Sequence, residues 1–475
     1  MRTRGERIPG TAIVLLVAAH LLIPHLGFLP IAAAAGRIVP AADGGGGETD
    51  VPPDIGPIYP GCEAVARGGT ELFRCLTAAA GGGNSLAQAN LGAVYERGVG
   101  VARNMTEAMN WYRKAADQGS PEGQASLGRV YAFDLREYSE ALHWYRKAAE
   151  QGNANAQYGI GVLYASGLGV TRDYAEALQW YRKAAEQGNP NAQHSLGRAY
   201  AYGFRMPRDE KEATKWYRLA AEQGHRGAYD WLAEAAKRGV AEAQHALGTM
   251  YASGRGVPRS DPEALKWFRK AAENGHRESE ITLGTRYAKG IGMPQDPAEA
   301  ARWYRKAAEQ GDVESQHDLA MAYRTGEGVA QDHAEAAKWF RMAAEQGDVG
   351  SQYLLAGMYV DGQGVPQNQA EGAKWFRKAA EQGYLAAQRD LGWMYASGEG
   401  IPQDHAEAAK WFRKAAEQGD AKAQNNLGVM YAQGLGVPLD YAEAAKWFRK
   451  AADQGDGKGR ENLERVKSLL ESQRK

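Results

Sequence analysis

Residues 421–456 read AKAQNNLGVMYAQGLGVPLDYAEAAKWFRKAADQGD, and close copies of this segment recur along the 475-residue chain. Its motif RKAADQG returns as RKAAEQG beginning at residues 146, 182, 305, 377 and 413. An active site is needed once per chain, whereas a packing unit that cannot bury its own apolar face must be repeated until neighbouring copies cover it. The repetition therefore predicts a stacked repeat protein.

Each unit has the pattern of two helices joined by a turn. Ala423, Leu427 and Tyr431 recur at helical spacing, which predicts a first helix, called helix A below. A Gly-x-Gly turn follows. Asp440, with Glu443 three residues later, then forms a capping box that predicts the start of a second helix, called helix B. Repeat two has Glu137 at the capping position, so its helix B is predicted to begin less cleanly.

Helix B carries its apolar residues on one face, as a core-facing helix requires. We expect the tryptophan of that face to lie in the core, the alternative being an aromatic that stacks on a ligand. The Arg, Lys, Glu and Gln of RKAAEQG are expected to lie at the surface. The tryptophan recurs, mostly at 36-residue intervals, at Trp111, Trp144, Trp180, Trp216, Trp267, Trp303, Trp339, Trp375, Trp411 and Trp447.

These patterns predict an all-α fold, an α-solenoid superhelix of antiparallel helix pairs with about ten repeats of 36 residues. A fifteen-residue insert, RGAYDWLAEAAKRGV, matches the apolar pattern of helix A when counted from its start and that of helix B when counted from its end. We therefore expect one helix, at residues 227–238, that takes both places in the stack. The predicted segments are a capping segment 62–84, repeats one to four 85–225, the insert 226–240, repeats five to ten 241–456, and a capping helix 457–475.

The N-terminal region has the features of an export signal. Residues 1–35 combine arginines, an apolar run and a small-residue end, which indicates a cleaved signal peptide; an uncleaved membrane anchor is the alternative. Residues 36–61 are rich in Gly and Pro and predict a flexible linker. In an exported protein the two cysteines, Cys62 and Cys75, are expected to form a disulfide, two buried thiols being the alternative. The protein is therefore expected to be periplasmic or secreted, with membrane attachment only if the N-terminal segment is retained.

Composition and motifs favour a non-enzymatic protein without cofactors. The 57 basic and 57 acidic residues balance, which argues against a nucleic-acid partner. Compact catalytic, phosphate-binding and metal-binding motifs are missing from the sequence. His194, His245 and His317 share one position of helix A, but equivalent positions on stacked repeats lie too far apart to bind one metal ion.

Outward positions that vary between repeats are the candidates for partner binding, because packing does not fix them. Two such positions lie two and six residues after the recurrent small residue of helix A, and we call them slot two and slot six. Four residues apart, they fall on one line of the helix. The alternative is that these side chains only pack against the adjoining helix. The predicted protein-binding residues are Tyr158, His194, Arg198, His245, His317, Met321, Tyr353, Arg389 and Trp393.

The unit A-x-A-Q-x-x-L-G-x-x-Y-x-x-G-x-G-V-x-x-D-x-x-x-A-x-x-W-Y/F-R-K-A-A-E-Q-G resembles the Sel-like repeat family, a relative of the tetratricopeptide repeat. The likeness covers residues 85–456. It implies a right-handed superhelix used as an adaptor in envelope signalling, complex assembly or host contact.

A cysteine-rich, exported branch of that family is linked to β-lactam binding and β-lactamase activity, with a disulfide in each repeat. This chain has no cysteine within its repeats, which sets it apart from that branch. The sequence thus favours an exported scaffold that binds a protein or peptide on the helix A face. A hydrolase of the β-lactam-related kind and a purely structural spacer are the alternatives.

Overall fold

The structure, a computed structural model, describes residues 58–65 and 68–473, and all regular elements in those ranges are helical. The predicted signal peptide and most of the predicted linker lie outside the described residues. The described residues form two compact units, one ending at Asp173 and the other beginning at Tyr174. No helix in the described ranges has both the length and the apolar character needed to cross a bilayer.

The first unit begins with the capping segment. Its Cys62 and Cys75 are joined by a disulfide, and Leu72 and Leu76 of the first helix are fully buried. The elements are a 3₁₀ turn Pro60–Val65, α1 Gly69–Gly81, α2 Ser85–Arg97, α3 Met105–Asp117, α4 Pro121–Arg129, a π-helical turn Val130–Leu135, α5 Tyr138–Glu150 and α6 Ala154–Ser166.

The second unit contains the remaining helices, including the single-helix insert and the C-terminal cap. They are α7 Tyr174–Glu186, α8 Pro190–Tyr202, α9 Glu210–Glu222, α10 Arg226–Lys237, α11 Ala241–Ser253, α12 Asp261–Glu273, α13 Arg277–Lys289, α14 Pro297–Glu309, α15 Val313–Thr325, α16 His333–Glu345, α17 Val349–Asp361, α18 Gln369–Glu381, α19 Leu385–Ser397, α20 His405–Glu417, α21 Ala421–Gln433, α22 Tyr441–Asp453 and α23 Gly457–Gln473. The insert is α10, and the charged C-terminal segment is α23.

Helix starts follow the capping residues of the sequence. Asp440 accepts a hydrogen bond from the backbone N–H of Glu443 at 2.9 Å, so it satisfies a donor that has no partner inside the helix. Glu137 of repeat two makes no such side-chain cap. In this repeat helix A ends in the π-helical turn, and the connection to helix B is short. Arg136, the residue after the turn, adopts the left-handed conformation (φ 60°) that glycine adopts at the end of the other A helices.

The Arg and Gln of the repeated motif lie at the surface, as expected, and their side chains also bond to neighbouring helices, which the sequence did not predict. Arg341 donates a hydrogen bond to the hydroxyl of Tyr359 on the following helix A. Gln346 donates to the side-chain oxygen of Gln316 on the preceding helix A at 2.8 Å. Gln352 donates to the buried carbonyl of Ala344 at 3.0 Å. The Arg341 and Gln352 bonds join neighbouring repeats, and the Gln346 bond joins the two helices of one repeat, so the motif stabilises both kinds of contact.

The helix B aromatics form the core of the stack. Trp303, Trp339 and Trp375 are buried, and Phe340, which follows Trp339 on α16, is 0% exposed. The Gly-x-Gly loop covers the start of the preceding helix B. A Cβ added to Gly328 would lie 2.2 Å from the Pro297 carbonyl oxygen, so this glycine permits a backbone contact between repeats. The loops are therefore packed turns between helices.

Candidate polypeptide-binding site

Slot two of helix A contacts the next repeat. The Tyr353 hydroxyl donates to Asp390 at 3.1 Å, and Arg389 donates to Asp390 at 2.8 Å and to Asp420 at 3.2 Å. His317 lies 2.9 Å from the hydroxyl of Ser351. All three slot-two side chains are half-buried. Their charge and hydrogen-bonding capacity is used within the protein, and their role toward a partner stays a prediction.

Two slot-two histidines stack on the histidine that caps the next helix. The rings of His194 and His225 lie 4.3 Å apart, and those of His245 and His276 lie 4.5 Å apart. His225 accepts from the backbone N–H of Ala228 at 3.2 Å, and His276 caps α13 in the same way. The Nδ1 atoms of His225 and His276 therefore act as unprotonated acceptors.

Burial and the neighbouring histidine hold these rings neutral. Burial first, then His225 and Arg198, lower the pKa of His194 to about 3. Burial and His276 lower the pKa of His245 to about 4, against an opposing effect of Glu278. The described residues contain no cluster of His, Cys, Asp and Glu able to hold a metal ion. These histidines are structural contacts between repeats.

We expect the paired histidines to make the second unit sensitive to mild acid. The unfolded chain protonates its histidines near pH 6.5, whereas the folded chain resists protonation, so stability falls as the pH drops from about 6.5 toward 4. The melting temperature should fall by several degrees between about pH 7 and about pH 5, where most carboxylates stay ionised.

The matched test replaces the pair His245 and His276 with Gln and Asn, because Asn still caps a helix. This double variant should lose part of the pH dependence. His143→Gln, at an exposed histidine of the first unit, should keep all of it. An unchanged pH dependence in the double variant would contradict the assignment.

Slot six contains the exposed part of the candidate site. Arg198 is exposed and Met321 is half-buried, while Trp393 leaves 50% of its surface in solvent. Trp393 borders a cavity of about 380 Å³ between α17 and α19. Tyr158 is half-buried on α6 and belongs to the first unit. Within the second unit, slot six therefore provides an accessible aromatic next to an open cavity.

Gly357 opens this cavity. It occupies slot six, where the preceding repeat has Met321 and the following repeat has Trp393. A Cβ at Gly357 would meet no atom within 4 Å, whereas a Cβ at Gly392 would lie 2.8 Å from the Phe412 ring. The glycine at 357 thus leaves space that packing does not require. Sequence reasoning missed the cavity, although a glycine in slot six occurs in this repeat alone.

The cavity combines apolar walls with an acidic rim. Leu354 and Met358 line its wall, and Asp361, Asp390 and Glu399 bring carboxylates to it. Asp361 is exposed, while the other two carboxylates are half-buried. The neighbouring Tyr353 stays protonated, because burial and Asp390 raise its pKa to about 12. Such a mixture of an apolar wall with a few charged groups is typical of a binding pocket.

The paired helices, the bonds between equivalent positions and the exposed helix A surface define an α-solenoid repeat protein of the kind that generally mediates protein–protein interaction. The chain belongs to the Sel1 repeat family. The Sel1 repeat matches residues 85–120, 121–153, 154–189, 190–225, 241–276, 278–312, 313–348, 349–384, 385–420 and 421–456. Proteins of this family are typically non-enzymatic scaffolds. The unmatched residues 226–240 contain α10.

The chain is also similar to two solved structures. The chain is similar to c5321, a protective antigen present in uropathogenic Escherichia coli strains that displays an SLR fold, with 36% identity over 84% of this chain and 90% of that chain (TM-score 0.44). It is also similar to a Sel1 repeat protein from Oxalobacter formigenes, with 35% identity over 68% and 90% of the two chains (TM-score 0.43). No curated protein matches the chain.

Proposed function

We propose that the protein is an exported, non-enzymatic scaffold that binds a protein or peptide partner on its helix A face, in envelope signalling, complex assembly or host contact. The observation that carries the proposal is the exposed indole of Trp393 beside the cavity at Gly357. Tryptophan is enriched among the residues that dominate binding energy, and such residues lie in pockets from which the partner excludes water. The signal-like composition of residues 1–35 supports export.

The surroundings of Trp393 favour a binding role over a packing role. Six of the ten helix B tryptophans lie in the core, including Trp375 and Trp411 at 6% and 8% exposure, and the other four are half-buried. Trp393 lies outside that repeated position and is 50% exposed. A large apolar side chain left in water gains free energy when a partner covers it, at roughly 25 cal/mol per Å² of apolar surface.

A photo-crosslinking experiment in the native organism tests the proposal. A photoreactive residue is placed at Met321, in slot six, and in a second strain at Met342, an exposed methionine on helix B. Crosslinked proteins are identified by mass spectrometry and their binding is measured again with purified components. We expect one partner to crosslink from position 321 and not from position 342.

Replacement of Trp393 by alanine should then weaken binding of that purified partner at least about tenfold, because an interfacial tryptophan of this kind contributes about 2 kcal/mol or more. The helical content and the melting temperature should stay unchanged. A partner that binds the alanine variant with native affinity would refute the proposed site. Equal crosslinking from positions 321 and 342 would refute binding on the helix A face.

A further inference from the structure

We propose that the cavity beside Gly357 binds a lysine or arginine side chain of the partner polypeptide. This inference rests on the proposed function and specifies the chemistry that the partner must present. It follows from the shape of the cavity, the free face of Trp393 and the carboxylates of the rim.

The cavity suits a long side chain with an aliphatic stem. Its volume of about 380 Å³ is open to solvent above Gly357, where no side chain enters. Leu354, Met358 and Met394 line the wall and can pack against methylene groups. Lysine and arginine place such a stem on apolar surface while their charged group stays at a polar rim.

Trp393 lacks the cation that other tryptophans of this protein have. Lys378 lies 3.9 Å from the centre of the Trp375 ring, and Lys414 lies 4.1 Å from the Trp411 ring. Among the described residues no Lys or Arg is placed over Trp393 in this way. Cations are attracted to the face of an indole within about 6 Å of its centre. A basic side chain from the partner would supply the same contact.

The charges at the cavity favour a basic guest. Asp361, Asp390 and Glu399 line it, against one basic lining residue, Arg324. Asp390 is paired with the nearby Arg389, which also bonds to Asp420, so the unpaired balance is Asp361 and Glu399 against Arg324. The rim is therefore net acidic, and an acidic guest would be repelled.

An apolar guest also fits less well than a basic one. Asp390 is already bonded to Tyr353 and Arg389, and Glu399 accepts one bond from Gln369. An apolar side chain placed over Asp361 and Glu399 would remove water from these carboxylates without offering a hydrogen bond. A guanidinium or ammonium group replaces that water with charge-assisted hydrogen bonds. The wall and the rim together thus select an amphipathic cation.

The test is a peptide selection on the purified full-length protein. A random phage-displayed peptide library is enriched on the native chain after depletion on Gly357→Leu, whose Cβ would meet no atom within 4 Å and whose side chain occupies part of the cavity. We expect the enriched peptides to share a Lys or Arg. In a synthetic peptide from this set, replacing that residue with norleucine should weaken binding about tenfold, and the double variant Asp361→Asn with Glu399→Gln should do the same.

The possible results separate the two proposals. Peptides that depend on Gly357 but share no basic residue, or a norleucine peptide that binds as well as the parent, would overturn the basic anchor and leave binding on the helix A face intact. If no enriched peptide distinguishes the native chain from Gly357→Leu, docking at this cavity is wrong, and the proposed site falls with it.

Discussion

Replacing Phe340 with alanine should destabilise the second unit by about 3–5 kcal/mol, because removal of a fully buried aromatic side chain loses its packing contacts and leaves a cavity. Phe340 is 0% exposed and lies in the cluster that contains Trp303, Trp339 and Trp375. Urea unfolding followed by circular dichroism measures the change. Hydrogen exchange around α15 to α17 locates it, since long repeat arrays can unfold locally.

Trp393→Ala is the matched control for this prediction. It removes a larger aromatic, but one that leaves 50% of its surface in solvent, so its cost should stay below about 1 kcal/mol. Similar losses for Phe340 and Trp393 would mean that Trp393 belongs to the core. The assignment of slot six as a free surface would then be wrong.

Replacing Gly328 with alanine should cost about 3 kcal/mol. Gly328 has φ +75°, and a Cβ would lie 2.2 Å from the carbonyl oxygen of Pro297 on α14. A left-handed conformation costs a residue with a side chain about 1–2 kcal/mol, and relief of the clash must separate two backbones, at a further 1–3 kcal/mol. The urea midpoint and the melting temperature should both fall.

Gly357→Ala provides the opposite case in the same unit. Gly357 lies within α17, and its Cβ would meet nothing within 4 Å. Alanine should therefore stabilise the protein by up to about 1 kcal/mol through helix propensity. A loss of stability at position 357, or none at position 328, would contradict the packing described for these two glycines.

The sequence was sufficient to predict the repeat architecture, because the apolar period and the capping residues act locally. Asp440 and Glu443 predict the start of α22, and the structure begins that helix at Tyr441. The missing cap at Glu137 is likewise seen in the structure. Helix starts depend on hydrogen bonds within four residues, and one unit of sequence contains all of the relevant groups.

Contacts between repeats were harder to predict, because they join residues about 18 to 37 positions apart. The Arg341 to Tyr359 bond and the Tyr353 to Asp390 bond both connect neighbouring repeats. Each of these residues looks like an ordinary surface residue when a single unit is considered. Only the stacking of one repeat on the next shows that their side chains meet.

The candidate site was predicted in part. Reasoning from variable positions selected both slots, but it could not separate slot two, which bonds to the next repeat, from slot six, which reaches solvent. Arg389 illustrates the difference, because Asp420 that binds it lies 31 residues away at the start of α21. The cavity results from the absence of a side chain at Gly357, so a search for functional side chains does not find it.

The most direct test of the central claim measures the affinity of the crosslinked partner for the native chain and for Gly357→Leu. We expect leucine to weaken binding at least about tenfold while the melting temperature stays equal or rises, because its side chain occupies space that the partner would enter. Native affinity in the leucine variant would show that the partner binds elsewhere and would contradict the account.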